Sequence, residues 1–284
     1  MPKFYNRRWE LSVNNKVFIP ATIDGREFKI IFEIVIDYGA FISYADISIY
    51  NLSQNTIGKL LKKGSSISLK AGYVNNIDFI FKGSIINAFK GRVGPDTIIN
   101  IIARSRNQLN TTISETLGVD VKITTILKTL ATSLGYPLII NEKDFDNIQP
   151  YPRGYVMSGD PRSYLDKLAL THDFSYVIEN NTLVITRNTS FRPGTPFEVS
   201  QRNGMEGIPE ITEIGCDAVV RLSPQLKIGG RIDVKSELSS FNYGNLYFQD
   251  IPASSGKGVY RIFKLRHSGD SHGSNWSTEI TAKR

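Results

Sequence analysis

A single cysteine, Cys216, stands in 284 residues, so this chain has no intrachain disulfide framework and no cysteine-built zinc site. Cys216 lies in the alternating stretch 214–219 and reads as a buried, inert thiol rather than a nucleophile. Histidine is almost as scarce, with His172, His267 and His272 alone. His267 and His272 flank Asp270 in a spacing that could suggest metal ligation, but Gly269 and Gly273 mark a turn. Asp270 is expected to accept hydrogen bonds from turn amides instead. No apolar run approaches the roughly 18 residues of a membrane-spanning helix, so no span is predicted. The start, Met1-Pro2-Lys3-Phe4, has no leader pattern, and the expectation is synthesis in a cytoplasm without a cleaved leader. His-Glu-x-x-His and a phosphate-cradling glycine loop are both missing, and Gly269-Asp270-Ser271-His272-Gly273 reads as a turn. Acidic residues are spread without the opposed pair a glycosidase needs. The sequence therefore predicts no catalytic residue, no cofactor-binding residue and no metal ligand; it does not read as an enzyme.

What is present is ordinary for a folded protein: 40% hydrophobic and 21% charged residues, over a length that suits two or three domains. The 23 glycines and 12 prolines point to a turn-rich β protein. Net charge is +7, scattered apart from doublets such as Arg7-Arg8 and Lys62-Lys63. Such an excess fits a solvated surface, and leaves open acidic neighbours including nucleic acid.

Along the chain, 8–23 alternates around Asn14-Asn15 and predicts a hairpin, with Asp24-Gly25 turning into a strand over 28–36. Residues 45–50 form another strand, and Ser53 is placed to cap a short helix over 54–61. Strands over 67–71, 79–87 and 97–103 follow, with Gly91, Gly94-Pro95 and Asp96 marking the last hairpin. The period then changes. Apolar residues at 123, 126, 127, 130, 131 and 134 form a helix stripe stopped by Gly135 and Pro137. Residues 137–140 and 155–158 read as strands around a polar loop. Asp160-Pro161 opens a second helix that ends near His172, and 174–186 is a hairpin about Asn180-Asn181. A linker over 187–196 leads into a second β-region with a long polar loop over 236–257. Trp9, Phe28, Phe32, Tyr44, Tyr73, Phe79, Phe81 and Trp276 fall mostly in strands and are expected in the core rather than as nucleobase platforms.

The two β-regions resemble each other. Tyr50-Asn51-Leu52-Ser53 precedes Gly64, and Val220-Arg221-Leu222-Ser223 precedes Gly229. After each glycine come aliphatics at +3 and +5 and lysine at +6, ending in Lys70 and Lys235. Ala103 and Ala282 close the copies. The fold class expected is mainly β with an α+β insertion: two similar small β-barrel domains, 1–108 and 191–284, flanking an α/β module over 109–190. A chain with two like units can fill two positions of a ring, and three chains can fill six.

Four stretches carry a family resemblance. The first is ADISIYNLS at 45–53 with LKKG at 61–64, LKAGY at 69–73 and IFKGSI at 80–85. The second is GYVMSGDPRSYLDKLA at 154–169, leading into FSYVI at 174–178 and LVI at 183–185. The third is LSPQLKIG at 222–229, and the fourth is GVYRI at 258–262 with HSGD at 267–270 and WST at 276–278. In this order they resemble the baseplate hub proteins of contractile-tailed bacteriophages and related tail-like machines. The resemblance implies tube-like β-domains and a homotrimer whose pseudo-sixfold ring joins the sixfold tail tube to the threefold central spike. It implies the tail tube protein and central spike protein as partners, with the tape measure and baseplate wedge proteins as further neighbours. It also implies a virion protein assembled in the host bacterial cytoplasm, with DNA passing non-specifically through a channel. Competing readings are a distal tail or tube-terminating protein, a tail-associated cell-wall hydrolase, and a nucleic-acid-binding β protein.

Overall fold

A computed structural model describes residues 6–14, 16–18, 28–38, 42–52, 62–105, 111–212, 214–236, 240–242 and 257–284. The predicted turn at Asp24-Gly25 and helix over 54–61 lie outside them, as does most of the 236–257 loop.

Strict alternation builds the first half. β1 (Arg7–Val13) turns at Asn14, which adopts φ +47°, into β2 (Lys16–Phe18). β3 (Ile30–Asp37) buries Ile30, Phe32, Ile34 and Ile36, and β4 (Tyr44–Tyr50) buries Ala45, Ile47 and Ile49. β5 (Ser66–Tyr73), β6 (Asn76–Val93) and β7 (Asp96–Arg104) complete it. The β6–β7 turn is Gly94-Pro95 alone; Gly91, read as part of it, sits inside β6 opposite Ile98.

The middle segment holds β8 (Ile113–Leu117), α1 (Ile123–Leu134), β9 (Leu138–Ile139), β10 (Tyr155–Gly159), α2 (Pro161–His172), β11 (Phe174–Glu179) and β12 (Thr182–Arg187). The stripe on α1 is buried as predicted, and Gly135 ends the helix at φ +75°, a left-handed value that costs glycine nothing. Asp160 Oδ1 accepts the Arg162 N–H at 3.1 Å, capping α2 ahead of Pro161. Asn180 and Asn181 both take positive φ, +51° and +61°, as a two-residue hairpin turn requires. β8 was not foreseen. Only Ile113 of its five residues is buried, so it carries no alternation, and its pairing with β10 is what makes it a strand.

The last half contains β13 (Phe197–Val199), β14 (Met205–Thr212), β15 (Gly215–Arg221), β16 (Arg231–Lys235), β17 (Ser240–Asn242), β18 (Lys257–Asp270) and β19 (Trp276–Lys283).

The two β-halves are halves of one sheet. Its strands run β17-β14-β15-β19-β18-β3-β4-β7-β6-β5-β1-β2, with β16 on β18 and β13 on β16. The halves join where β18 pairs antiparallel with β3, from Lys264 opposite Asp37 to Asp270 opposite Ile31. Trp276 locks this junction. Its ring meets Phe32 edge-on at 5.2 Å between centroids, and its indole N–H donates to the Gly72 carbonyl at 3.2 Å. An aromatic pair of this kind adds about 0.5–1.5 kcal/mol beyond the area it buries.

One hydrophobic core underlies this sheet; a second fills the α/β module around α1, α2 and the β11–β12 hairpin. Side chains stitch the module to both halves. From the first half, the Ser43 and Ser105 hydroxyls donate to the Ile178 carbonyl at 2.8 and 2.7 Å, and Tyr38 Oη donates to Thr186 at 3.0 Å. From the second, Arg261 donates to the Arg187 carbonyl at 2.8 Å. In the linker, Arg192 forms an ion pair with Glu179, whose side chain is only 2% exposed.

The repeat read from sequence is a repeat of hydrogen bonds. Gly64 N–H donates to Ile85 O at 2.8 Å, and Gly229 N–H donates to Ile262 O at 2.9 Å. Ile85 N–H returns to Ser65 O, and Ile262 N–H returns to Gly230 O, both at 2.9 Å. Both glycines need positive φ, +86° and +76°. A bulge follows at the same place in each copy, after Ile85 in β6 and after Ile262 in β18. Thus β3-β4-β7-β6 matches β14-β15-β19-β18, and β5 matches β16. One detail of the sequence alignment is corrected. Ala45 and Cys216 face the matching Ala103 and Ala282, so Asn51, not Leu52, occupies the position of Leu222. The unequal connections to Gly64 and Gly229 absorb the difference.

Candidate assembly face and its two edges

The eight matched strands present one face to the core and leave the other open. On the open face, period-2 alternation lines up polar side chains across the whole span. Glu33 on β3 stands directly opposite Asp46 on β4, and the matching Glu210 on β14 stands directly opposite Asp217 on β15. Like charges placed so are mutually destabilising. Burial, then the Glu33 charge, pushes the Asp46 carboxyl above its usual range. Between the two acidic pairs sits Arg266 of β18, donating to Glu33 at 2.9 Å and to Glu279 of β19 at 3.3 Å. All three side chains are 42–47% exposed, so solvent screens the attraction and little stability comes from it. Ser48 donates to Asn100 at 2.6 Å on the same face, where Tyr44 is 47% exposed. This face is polar and partly exposed to solvent.

The ends of the eight-strand span are edges. Beyond Ile85, β6 pairs with β7 on one side, and among the described residues no strand covers its other side. Phe89 and Val93 are 48% and 62% exposed there. At the opposite end β14 bears Glu206 and Glu210, with Ile208 exposed, and among the described residues only its last three carry an outer partner, β17. Asp217 Oδ1, one strand inward, is buried without a hydrogen-bond partner among the described residues.

The residues singled out from sequence are dispersed. Cys216 is buried under the second half, and burial, then the neighbouring Asp217, raises its thiol to about 12. His267 lies in the core with Nδ1 2.8 Å from Thr278 Oγ1, whereas His272 is in a turn beside Ser271. Asp270 Oδ1 accepts the His272 and Gly273 amides, both at 2.9 Å, the turn role expected of it. His172 lies in the module, its Nε2 2.6 Å from Tyr151 Oη. Of the aromatics, Trp9, Phe32, Tyr73, Phe81 and Trp276 are core, while Tyr44 is not. A cleft of about 320 Å³ over the linker is lined by Arg192, Lys227 and Arg231, and each cation already has a partner in Glu179, the Phe79 carbonyl or Asp233. The acid pairs and Arg266 were missed in the sequence. Their signal was charge at the outward positions of otherwise aliphatic strands.

The model of the family described as baseplate hub gp41 matches residues 41–247. No curated protein sequence matches the chain. The fold is that of the 43 kDa tail protein of prophage MuSo2 from Shewanella oneidensis, with TM-score 0.63 at 12% identity over 98% of this chain and 97% of that one. It is also that of a tail protein from Neisseria meningitidis MC58, with TM-score 0.60 at 11% identity over 99% and 97%. The E. coli c3393 protein, a type VI secretion component described as structurally similar to T4 tail proteins gp27 and gp5, aligns with TM-score 0.57 at 9% identity over 96% and 76%. A duplicated β-unit in one sheet, a fold found in tail proteins and a family match across most of the sequence converge: the chain belongs to the baseplate hub gp41 family of phage tail proteins.

Proposed function

We propose that three copies of this chain close into a pseudo-sixfold ring that joins the tail tube to the central spike of a contractile tail. The observation that carries this reading is the duplication itself. One chain already contains two equivalent units and one unit-to-unit junction, β18 on β3. A closed ring of three chains repeats that junction in kind and covers both ends of the eight-strand span. In this reading the units are 1–108 and 191–284, with 109–190 as the module on the outside. The open face lines the channel. Its repeated pairs, Glu33 with Asp46 and Glu210 with Asp217, turn negative charge toward passing DNA, so phosphates are repelled and no base is read. The role is structural rather than catalytic. The protein is a virion component, assembled in the host cytoplasm with the tail tube and spike proteins, and with tape measure and wedge proteins as neighbours.

The test is the native mass by light scattering across a concentration series. A species of three times 31.8 kDa supports the ring. A stable hexamer overturns two units per chain and favours a distal tail or tube-terminating protein.

A further inference from the structure

The internal junction is a template for the junction between copies. Because β6 matches β18 and β14 matches β3, the bare stretch of β6 corresponds to the stretch of β18 that lies on β3. Carrying the register across places Phe89 opposite Thr212, Lys90 opposite Ile211 and Gly91 opposite Glu210, as Arg266, His267 and Ser268 lie opposite Val35, Ile34 and Glu33. We infer that β6 of one copy adds to β14 of the next in this antiparallel register, taking the place that β17 holds in the single chain. The inference rests on the trimeric ring and names its contact.

Four features support it. The strands carry opposite charge, Lys90 and Arg92 on β6 and Glu206 and Glu210 on β14, which draws them together at a distance, while alternation sets Lys90 and Glu210 on opposite faces of the joined sheet. Both edges expose apolar side chains, Phe89 on one and Ile208 on the other. Pro209, which has no N–H to donate, ends the ladder where β14 bulges. Finally, β17 contributes three residues in parallel, a pairing weaker per residue than the antiparallel one that would replace it. The corresponding chemistry differs from the template. Where Arg266 has Glu33 as its diagonal neighbour inside the chain, Phe89 has Glu210 between chains, so that position forms no ion pair and depends less on salt.

The test uses the full chain carrying Cys216→Ala, Phe89→Cys and Thr212→Cys. Residues directly opposite in a ladder lie within the 4.4–6.8 Å Cα spacing a disulfide spans. Mild oxidation is expected to give covalent trimers on a non-reducing gel. Val35→Cys with Arg266→Cys, which should close within one chain, serves as the positive control. A second variant, Glu210→Cys with Ser240→Cys, fastens β17 to β14 and is expected to abolish trimers. Trimeric mass without the 89–212 link, or trimers that persist with β17 fastened, overturns this interface and leaves the ring standing. A chain that stays monomeric at every concentration and gives no linked product overturns both.

Discussion

His267 shows how a residue that invites a chemical reading can be a structural one. It is wholly buried, bonded to Thr278 and surrounded by strands of the β18–β3 junction. Burial, then the nearby Lys227 charge, lowers its pKa from 6.5 to about 3, so it stays neutral in the folded protein. The unfolded chain takes up a proton near its ordinary value and the folded chain does not. Stability is therefore full above about pH 6.5 and falls as the pH drops from there toward about 3. The slope from this one group approaches about 1.4 kcal/mol per pH unit. His267→Gln should flatten the urea-midpoint profile between pH 6.5 and 5 relative to the parent, before most carboxylates titrate. Equal slopes in the two proteins would show that the imidazole does not titrate as its surroundings demand.

Among the elements, those with a local cause were legible. α1 was readable from its stripe and Gly135, α2 from Asp160-Pro161, and β11–β12 from Asn180-Asn181. Each rests on neighbours a few residues away. β8 and the β18–β3 pairing were not readable, because partners distant in sequence create them. The repeat could be seen only through Gly64, Gly229 and the alternation after them; its register needed the cross-strand bonds. Gly269 illustrates such a distant cause. A Cβ there would lie 2.5 Å from Phe32 Cζ and 2.7 Å from Trp276 Cε3, in the packed centre of the junction. Overpacking of this kind costs about 1–3 kcal/mol. Gly269→Ala should lower the unfolding free energy by that amount, whereas Gly118→Ala, with nothing within 4 Å of the added carbon, should leave it nearly unchanged. Equal effects would mean that the ring contacts at Gly269 yield without strain.

At the scale of the whole molecule, neither β-half owns a complete sheet. Residues 1–108 alone would leave β3 without β18 and Phe32 without Trp276. That fragment should express insolubly or melt without a cooperative transition, while the full chain melts as one unit; a soluble, sharply melting fragment would mean that the first half is self-sufficient. The same feature has a temporal side. Arg266 and Glu33, partners across the junction, are separated by 233 residues, and the strand that closes the first half emerges only after all of them are made. At roughly 5–20 residues per second, a ribosome holds the edge of β3 open for about ten to fifty seconds. During that interval the nascent chain offers an aliphatic strand edge to every neighbour on the same message. The host's chaperones, or slow codons placed between the two halves, would then govern how much protein is recovered.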